Sequence, residues 1–255
     1  MMLALLLAAE VHVMPASFPT KASDGVTLEA TLYEPAGLAT PAPAVVVLHT
    51  CAGIGPNDGA WAQWFAANGY IAIVVDSFGP RHVSRVCGSH DVPPPMRALD
   101  AYGALAYLRT LPNVDGAHVG VIGFSHGGGT ALFIENADLA AQAGFTNDGF
   151  AAAVALYPST CADDPTRALT APLLLLIGGS DDWTDARDCE RFMSAVSQST
   201  APGTIHVYPG VYHKFDDPDA NRNVSVNNHR YTLKYDAQAA ADAHDRILAF
   251  FKQYL

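Results

Sequence analysis

The sequence is poor in charged residues, and in positively charged ones above all. Only 15% of its 255 residues are charged, and 14 lysines and arginines face 25 aspartates and glutamates, for a formal net charge of −11. Proteins bind nucleic acid largely by neutralising its phosphates with lysine and arginine. The charge balance therefore argues against nucleic acid as a partner.

The sequence also lacks runs of like charge, short internal repeats and low-complexity linkers. Half of its residues are apolar, which is typical of a globular protein with a buried core. We therefore predict a single domain over residues 1–255. The pattern leaves the oligomeric state open.

The apolar segment 1–9 is much shorter than the roughly 20 residues that span a bilayer, so we predict no membrane span. It could be the remnant of a signal segment, although no lysine or arginine precedes Lys21 and no clear cleavage site of small residues follows. The alternative is a first buried strand or an ordinary hydrophobic start.

Short apolar runs alternate with longer segments of helical periodicity in the middle of the chain, as in βαβ units with a parallel sheet. The predicted strands are 44–48, 71–75, 119–122, 152–156, 173–177 and 205–208. The predicted helices are 60–68, 97–111, 128–136, 187–197 and 237–254. Strands this continuously apolar are expected to be covered on both faces.

An antiparallel pair, 11–18 and 26–33, precedes the first of these units and is joined through the turn dipeptide Asp24-Gly25. We therefore predict an α/β protein: a mostly parallel sheet of about eight strands with helices on both faces. Ligands of such sheets bind beyond the carboxyl ends of the strands, so the loops that follow the strands are where chemistry is expected.

The motif Gly123-Phe124-Ser125-His126-Gly127 follows the strand 119–122 and leads into a helix near Gly128. A strand, a tight turn and a helix around G-x-S-x-G form the nucleophile elbow of α/β-hydrolases. The helix N-terminus would also stabilise developing negative charge. We predict that Ser125 is a catalytic nucleophile.

The acid that orients the base is expected between the nucleophile and the histidine in chain order. Asp181 and Asp182 both follow the strand 173–177. Asp181 comes earlier in the turn that leaves the strand, whereas Asp182 suits the N-cap of the helix that begins near Asp185. We predict Asp181, with Asp182 as the alternative.

Four histidines follow Asp181, and position in the predicted fold distinguishes them. His206 lies inside the last strand, His244 in an exposed part of a helix and His229 in a polar, Asn-rich stretch. His213 lies a few residues beyond the last strand, in the loop where the base is expected. We predict that His213 is the general base.

The oxyanion of the reaction needs backbone N–H donors from two loops. One is the residue after the nucleophile, His126, and the other should follow the first parallel strand, where Cys51 is the candidate. We predict an oxyanion hole formed by the amides of these two residues.

The segments 49–53, 76–81, 123–128, 181–184 and 208–215 together resemble the dienelactone hydrolase family. The resemblance runs from about Val26 to the C-terminus and implies an α/β-hydrolase fold, no cofactor, and hydrolysis of carboxylic esters or lactones. The enzymes that gave the family its name use a cysteine nucleophile, whereas this elbow holds Ser125. The difference favours a more general esterase over an enzyme for dienelactone itself.

About a dozen residues separate the strand that ends near Tyr157 from the one that begins near Leu173, so we expect no cap domain and a fairly open site. The longest loop on the site side, 77–95, holds Arg81, which could bind a substrate carboxylate or form a structural salt bridge. Trp183 is the second candidate for substrate binding.

The four cysteines permit three full pairings. Cys51 and Cys87 follow strands expected to be neighbours, as do Cys161 and Cys189, so we predict those two disulfides. Disulfides indicate an oxidising compartment, the periplasm or the exterior. Four free thiols in a cytoplasmic enzyme are the alternative.

Other functions are compatible with parts of this pattern. A serine peptidase or acyltransferase would use the same three residues, and a non-catalytic binding protein of this fold would usually have lost one of them. A metal-dependent hydrolase lacks support, because the sequence has no His-Glu-x-x-His motif or paired Cys/His cluster. We predict neither metal nor cofactor.

Overall fold

A computed structural model describes residues 10–38, 40–163, 166 and 168–255. Its strands are β1 (Val11–Pro19), β2 (Thr27–Pro35), β3 (Ala42–Leu48), β4 (Ile71–Asp76), β5 (Val114–Phe124), β6 (Ala152–Leu156), β7 (Leu173–Gly178), β8 (Gly203–Tyr208), β9 (Asn221–Val226) and β10 (His229–Lys234). Its α-helices are α1 (Pro56–Ala67), α2 (Pro94–Leu108), α3 (His126–Ile134), α4 (Ala137–Ala143), α5 (Ala186–Ala195) and α6 (Ala237–Tyr254). The segment 1–9 lies outside the described residues.

Within the described residues, eight strands form one sheet in the order β1-β2-β4-β3-β5-β6-β7-β8. The pairs β1–β2 and β2–β4 are antiparallel, and every later pair is parallel. This confirms the predicted mostly parallel sheet, and the described residues between β6 and β7 form no cap domain.

Nearly every residue along the central strands is buried, so both faces of the sheet are covered there. Helices α1 and α6 pack on each other through Trp61 and His244, whose rings stack 4.0 Å apart, and through Phe65 and Phe251. Helix α2 contacts α3 and α4. The prediction that His244 is exposed is therefore wrong, since an indole covers its ring.

A hairpin formed by β9 and β10 is the main element that the sequence patterns did not predict. Its two-residue turn, Asn227-Asn228, has φ angles of 49° and 65°. Both lie in the left-handed region, which asparagine tolerates and hairpin turns of the type I′ require. The Asn-Asn dipeptide is therefore a sequence indication of a hairpin, but the strands beside it are too polar to be recognised as strands from the sequence.

None of the helices in the described part of the chain is long and apolar enough to cross a membrane.

Candidate active site

Ser125 lies in the sharp turn between β5 and α3, with φ 54° and ψ −109°. The chain can turn this tightly only because the residues two positions before and after the serine, Gly123 and Gly127, have no side chain. A Cβ atom on Gly123 would lie 1.9 Å from the carbonyl oxygen of Gly127, and one on Gly127 would lie 2.1 Å from that of Leu48. The predicted elbow is therefore present as a strained backbone turn with the serine hydroxyl at its tip.

His213 follows β8 and approaches this hydroxyl from the neighbouring loop. Its Nε2 lies 3.0 Å from Ser125 Oγ, which is hydrogen-bond distance. The imidazole is almost fully buried and packs edge-on against Tyr157, with 4.7 Å between ring centroids. The ring is thus held between the serine and an aromatic wall.

Asp181 lies on the other side of the imidazole, with Oδ2 2.7 Å from His213 Nδ1. Its Oδ1 accepts the backbone N–H groups of Trp183 and Thr184, both at 2.9 Å, and Oδ2 also accepts the Thr184 hydroxyl. These donors fix the carboxylate even though its side chain is fully buried. Thr184 is an orienting residue that the sequence analysis missed, although an Asp followed by Thr three positions later is a common turn pattern.

Asp182 points elsewhere, toward the hairpin. Its carboxylate accepts the backbone N–H of Thr232 at 2.9 Å and the Thr232 hydroxyl at 2.8 Å. The N-cap of α5 is Asp185, whose side chain accepts the N–H of Arg187. The expectation that Asp182 caps this helix is therefore wrong; it anchors β10 instead.

Cys51, in the loop after β3, lines the same cavity as Ser125, and His126, the residue after the serine, is the first residue of α3. Neither amide donates a hydrogen bond to a described residue. Two such N–H groups can donate hydrogen bonds to the oxyanion of a tetrahedral intermediate.

Arg97 lies behind both amides and links the two loops that carry them. Its Nη2 donates to the carbonyl of His49 at 2.9 Å, and its Nη1 donates to Nδ1 of His126 at 2.8 Å. The guanidinium is fully buried over the Phe78 ring, and no carboxylate among the described residues pairs with it. The sequence pattern predicts a helix at this arginine but gives no sign of this role.

Burial and the arginine charge keep the nearby rings neutral. Burial, followed by the charge of Arg97, lowers the pKa of His126 to about 3. Burial lowers the pKa of Arg97 itself to about 10, against the opposing charges of Asp100 and Asp58. At neutral pH the site therefore holds a buried cation next to a neutral imidazole that accepts its hydrogen bond.

The family model for dienelactone hydrolases matches residues 28–255. This chain belongs to the dienelactone hydrolase family. It is 24% identical over 202 residues to a probable 2-oxo-3-(5-oxofuran-2-ylidene)propanoate lactonase of Bradyrhizobium sp, a match that covers 73% of this chain and 79% of the relative.

Two further proteins are similar. A "putative carboxymethylenebutenolidase" of Escherichia coli strain K12 is 34% identical over 86 residues, 34% of this chain and 27% of that relative's length. The crystal structure of a dienelactone hydrolase-like promiscuous phosphotriesterase from metagenomic libraries superposes with a TM-score of 0.75 at 20% identity, covering 95% of this chain and 98% of that one. The last likeness concerns the fold.

Membership of the dienelactone hydrolase family makes the protein a hydrolase of the esterase type, as the sequence motifs predicted. In this chain the residue at the tip of the elbow is Ser125. Its cysteines are engaged elsewhere.

Two disulfides join the predicted pairs, Cys51 to Cys87 and Cys161 to Cys189, with Cα atoms 4.9 and 4.8 Å apart. The first ties the loop that carries one candidate oxyanion amide to the loop after β4. The second joins the segment after β6 to α5. Only the first borders the cavity at Ser125.

The cavity at Ser125 has a volume of about 310 Å³, and its wall combines a disulfide, apolar side chains, an indole and three cations, Arg85, Lys214 and Arg222. The disulfide Cys51–Cys87 forms one side. The hairpin forms the other, with apolar side chains from both of its strands: Val224, Val226 and Leu233. Trp183 lies between them, stacked on Tyr231 at 4.7 Å. The indole thus lies in the wall of the cavity, where the sequence analysis expected a substrate contact.

Arg81 lies away from this cavity with its guanidinium fully engaged. It pairs with Asp24 at 2.7 Å and with Asp100 at 2.8 Å, and it also donates to the carbonyl of Ser77. All three acceptors are structural. The geometry therefore favours the salt-bridge alternative for Arg81 over contact with a substrate carboxylate.

Proposed function

We propose that this protein hydrolyses carboxylic esters or lactones through an acyl-enzyme on Ser125, with His213 as general base and Asp181 as the orienting acid. The observation that carries the proposal is the unbroken line of contacts from Ser125 Oγ to His213 Nε2 and from His213 Nδ1 to Asp181 Oδ2. Nucleophile, base and orienting carboxylate in hydrogen-bond reach are the requirement for nucleophilic acyl transfer.

The reaction proceeds in two halves. Ser125 Oγ attacks the carbonyl carbon while His213 Nε2 takes the hydroxyl proton, and the amides of Cys51 and His126 stabilise the oxyanion. Collapse breaks the C–O bond, and His213 returns the proton to the departing alkoxide. Water then attacks the acyl-enzyme with His213 again as base, which releases the acid and restores the serine.

The cavity favours small or extended substrates. Its volume of about 310 Å³ suits a short acyl chain or a small ring, and the apolar hairpin side chains provide a desolvated wall. In a lactone the departing oxygen stays attached to the acyl group, so one molecule would fill both sides of the site.

The two disulfides support a location outside the cytoplasm, in the periplasm or the exterior. Structural disulfides persist in oxidising compartments and are rare where thiols are kept reduced. All four cysteines are paired.

The test is the kinetics of Ser125→Ala on p-nitrophenyl esters of graded chain length and on simple lactones. We expect kcat to fall about 10⁴-fold or more, as when a triad nucleophile is removed. Ser194→Ala, on the exposed face of α5, is the control and should match the wild type. Retention of activity by Ser125→Ala would overturn the proposal, and faster cleavage of peptide anilides than of esters would favour the peptidase alternative.

A further inference from the structure

A second cavity, of about 260 Å³, opens directly beside the cavity at Ser125. The two cavities share four lining residues: Thr50, Ala52, Lys214 and Arg222. A molecule bound at the serine therefore has access to both compartments. Lys214 and Arg222 line both cavities, but the rest of their walls differ in chemistry. The first cavity adds the apolar hairpin side chains and Arg85, whereas the second adds three carboxylates and an amide.

Asp58 is the most unusual group in this second wall. It lies in the first turn of α1 and is only 5% exposed. Its Oδ2 accepts the N–H of Gly55 at 2.7 Å, whereas its Oδ1 has no hydrogen-bond partner among the described residues. One oxygen of a buried carboxylate is thus left to accept a donor from whatever enters the cavity.

The other polar groups nearby are largely committed to one another. Lys214 pairs with Asp217. The amide of Asn57 donates to Asp216 at 2.8 Å, and Arg222 donates to the carbonyl of Asp219. The hydrogen-bonding group left free in the second cavity is therefore mainly an acceptor, Asp58 Oδ1. The cations Lys214 and Arg222 lie where this cavity meets the cavity at Ser125.

The burial of Asp58 makes its ionised form costly to the fold. Burial raises the pKa of this carboxyl to about 6, against the favourable N–H of Gly55 and the charge of Lys214. A neutral residue could cap the helix without that penalty. Stability given up at a single position in a cavity that adjoins the proposed catalytic serine is typical of a functional group.

We propose that this second cavity is a subsite for hydroxyl groups, so that the preferred substrates are esters in which the acyl or the alcohol part carries hydroxyls. The inference deepens the proposed function and rests on it. A hydroxyl can donate to Asp58 Oδ1 and accept from Lys214 or Arg222. An apolar group would leave Asp58 unsatisfied, and a second anion would face three carboxylates.

The experiment compares two matched pairs of substrates that differ only in hydroxyls: glycerol 1-butanoate against propyl butanoate, and methyl glycerate against methyl propanoate. Hydrogen bonds to charged groups correspond to about a tenfold preference or more, so we expect the wild type to favour the hydroxylated ester of at least one pair by that factor in kcat/KM. Asp58→Asn keeps an oxygen for the Gly55 amide but loses the charge. It should lower this preference about tenfold and change the deoxy ester less than about twofold.

Asp245→Asn, an exposed carboxylate on α6, is the matched control and should leave both rates unchanged. A wild-type ratio near one in both pairs, or a preference that Asp58→Asn leaves intact, would overturn the subsite. If no ester is hydrolysed at all, the proposed function fails instead. In that case saturation-transfer NMR of the four esters with Ser125→Ala still decides the subsite: stronger binding of the hydroxylated esters supports it and equal binding refutes it.

Discussion

Two buried polar arrangements lie near the cavity at Ser125, and they differ in how their charged groups are balanced by partners. On one side His213 and Asp181 touch, and the carboxylate accepts four hydrogen bonds in all. On the other side Arg97 and Asp58 are equally buried, but neither touches an opposite charge among the described residues. They act on each other only through space.

The comparison indicates that the fold tolerates the Asp181–His213 pair, whereas Arg97 and Asp58 lower its stability. A buried carboxylate with every lone pair occupied is tolerated, whereas a buried charge without a partner destabilises the folded state. Arg97 lies beside the two candidate oxyanion amides, and Asp58 lines the second cavity, which we propose as the hydroxyl subsite. Each arrangement can be disrupted separately.

Asp181→Asn breaks the balanced side and should have the largest effect. The amide would hold His213 in the wrong tautomer, so we expect kcat to fall about 10⁴-fold, as in other Ser–His–Asp enzymes. The measurement is steady-state hydrolysis of a p-nitrophenyl ester. Asp182→Asn is the adjacent control and should lose less than about tenfold, because it only anchors the hairpin. If Asp182→Asn proves the more damaging change, the assignment of the acid is wrong.

Arg97→Met removes the buried guanidinium from the unbalanced arrangement. Without the guanidinium, the carbonyl of His49 and the ring of His126 lose their common donor, and the two oxyanion loops lose their link. We expect kcat to fall roughly 10- to 100-fold with little change in KM, less than the loss of a whole oxyanion donor.

Arg109→Met is the control for this change, since Arg109 follows the same helix at its far end and bonds the carbonyls of Gly116 and Gly149. It should affect stability but not kcat. Equal kcat values for the two variants would show that Arg97 has only a structural role.

The two disulfides sharpen the comparison because they close loops of similar size. The Cys51→Ser/Cys87→Ser and Cys161→Ser/Cys189→Ser double variants should each lose about 3 kcal/mol in the free energy of unfolding. Only the first should also lower kcat, by several-fold, because only that bridge holds a candidate oxyanion amide. Denaturant unfolding and ester kinetics measure the two effects. A kcat loss shared equally by both variants would contradict the role given to Cys51.

The Asp58→Asn variant tests how much the buried charge of Asp58 destabilises the fold, through the free energy of unfolding measured as a function of pH. The folded pKa of about 6 lies above the unfolded value of 3.8, so the group destabilises the fold as pH rises through that interval and does so fully above it. Lys214, Asp216 and Arg97 are the charges that face it. The variant should gain about 3 kcal/mol over the wild type at pH 8 and almost nothing at pH 4. A gain independent of pH would mean that folding does not raise the pKa of Asp58 and would contradict this account.

The arrangement of His213 and Asp181 could be predicted from the sequence, whereas that of Arg97 and Asp58 could not. Ser125 lies in a short motif whose setting is local, and Asp181 and His213 follow in the chain order that the fold dictates. The disulfide partners follow from which strands are neighbours. Arg97, in contrast, meets the carbonyl of His49 across 48 positions, and no local pattern indicates such a contact.

The residues that line the two cavities could not be predicted from the sequence for a related reason. Val224 and Val226 alternate with polar residues, but the segment as a whole is polar and offers no apolar run. Asp58 resembles an ordinary acidic residue of a helix first turn, and only the packed loops around it show that it is buried.

The central claim is that Ser125 forms a covalent intermediate, and active-site labelling tests it most directly. The wild-type protein would be treated with a fluorophosphonate and the adduct located by peptide mass spectrometry. We predict one stoichiometric adduct on Ser125, absent from Ser125→Ala and present in Asp58→Asn, whose serine is untouched. An adduct on another serine, or full ester hydrolysis by protein that carries no adduct after treatment, would contradict the account.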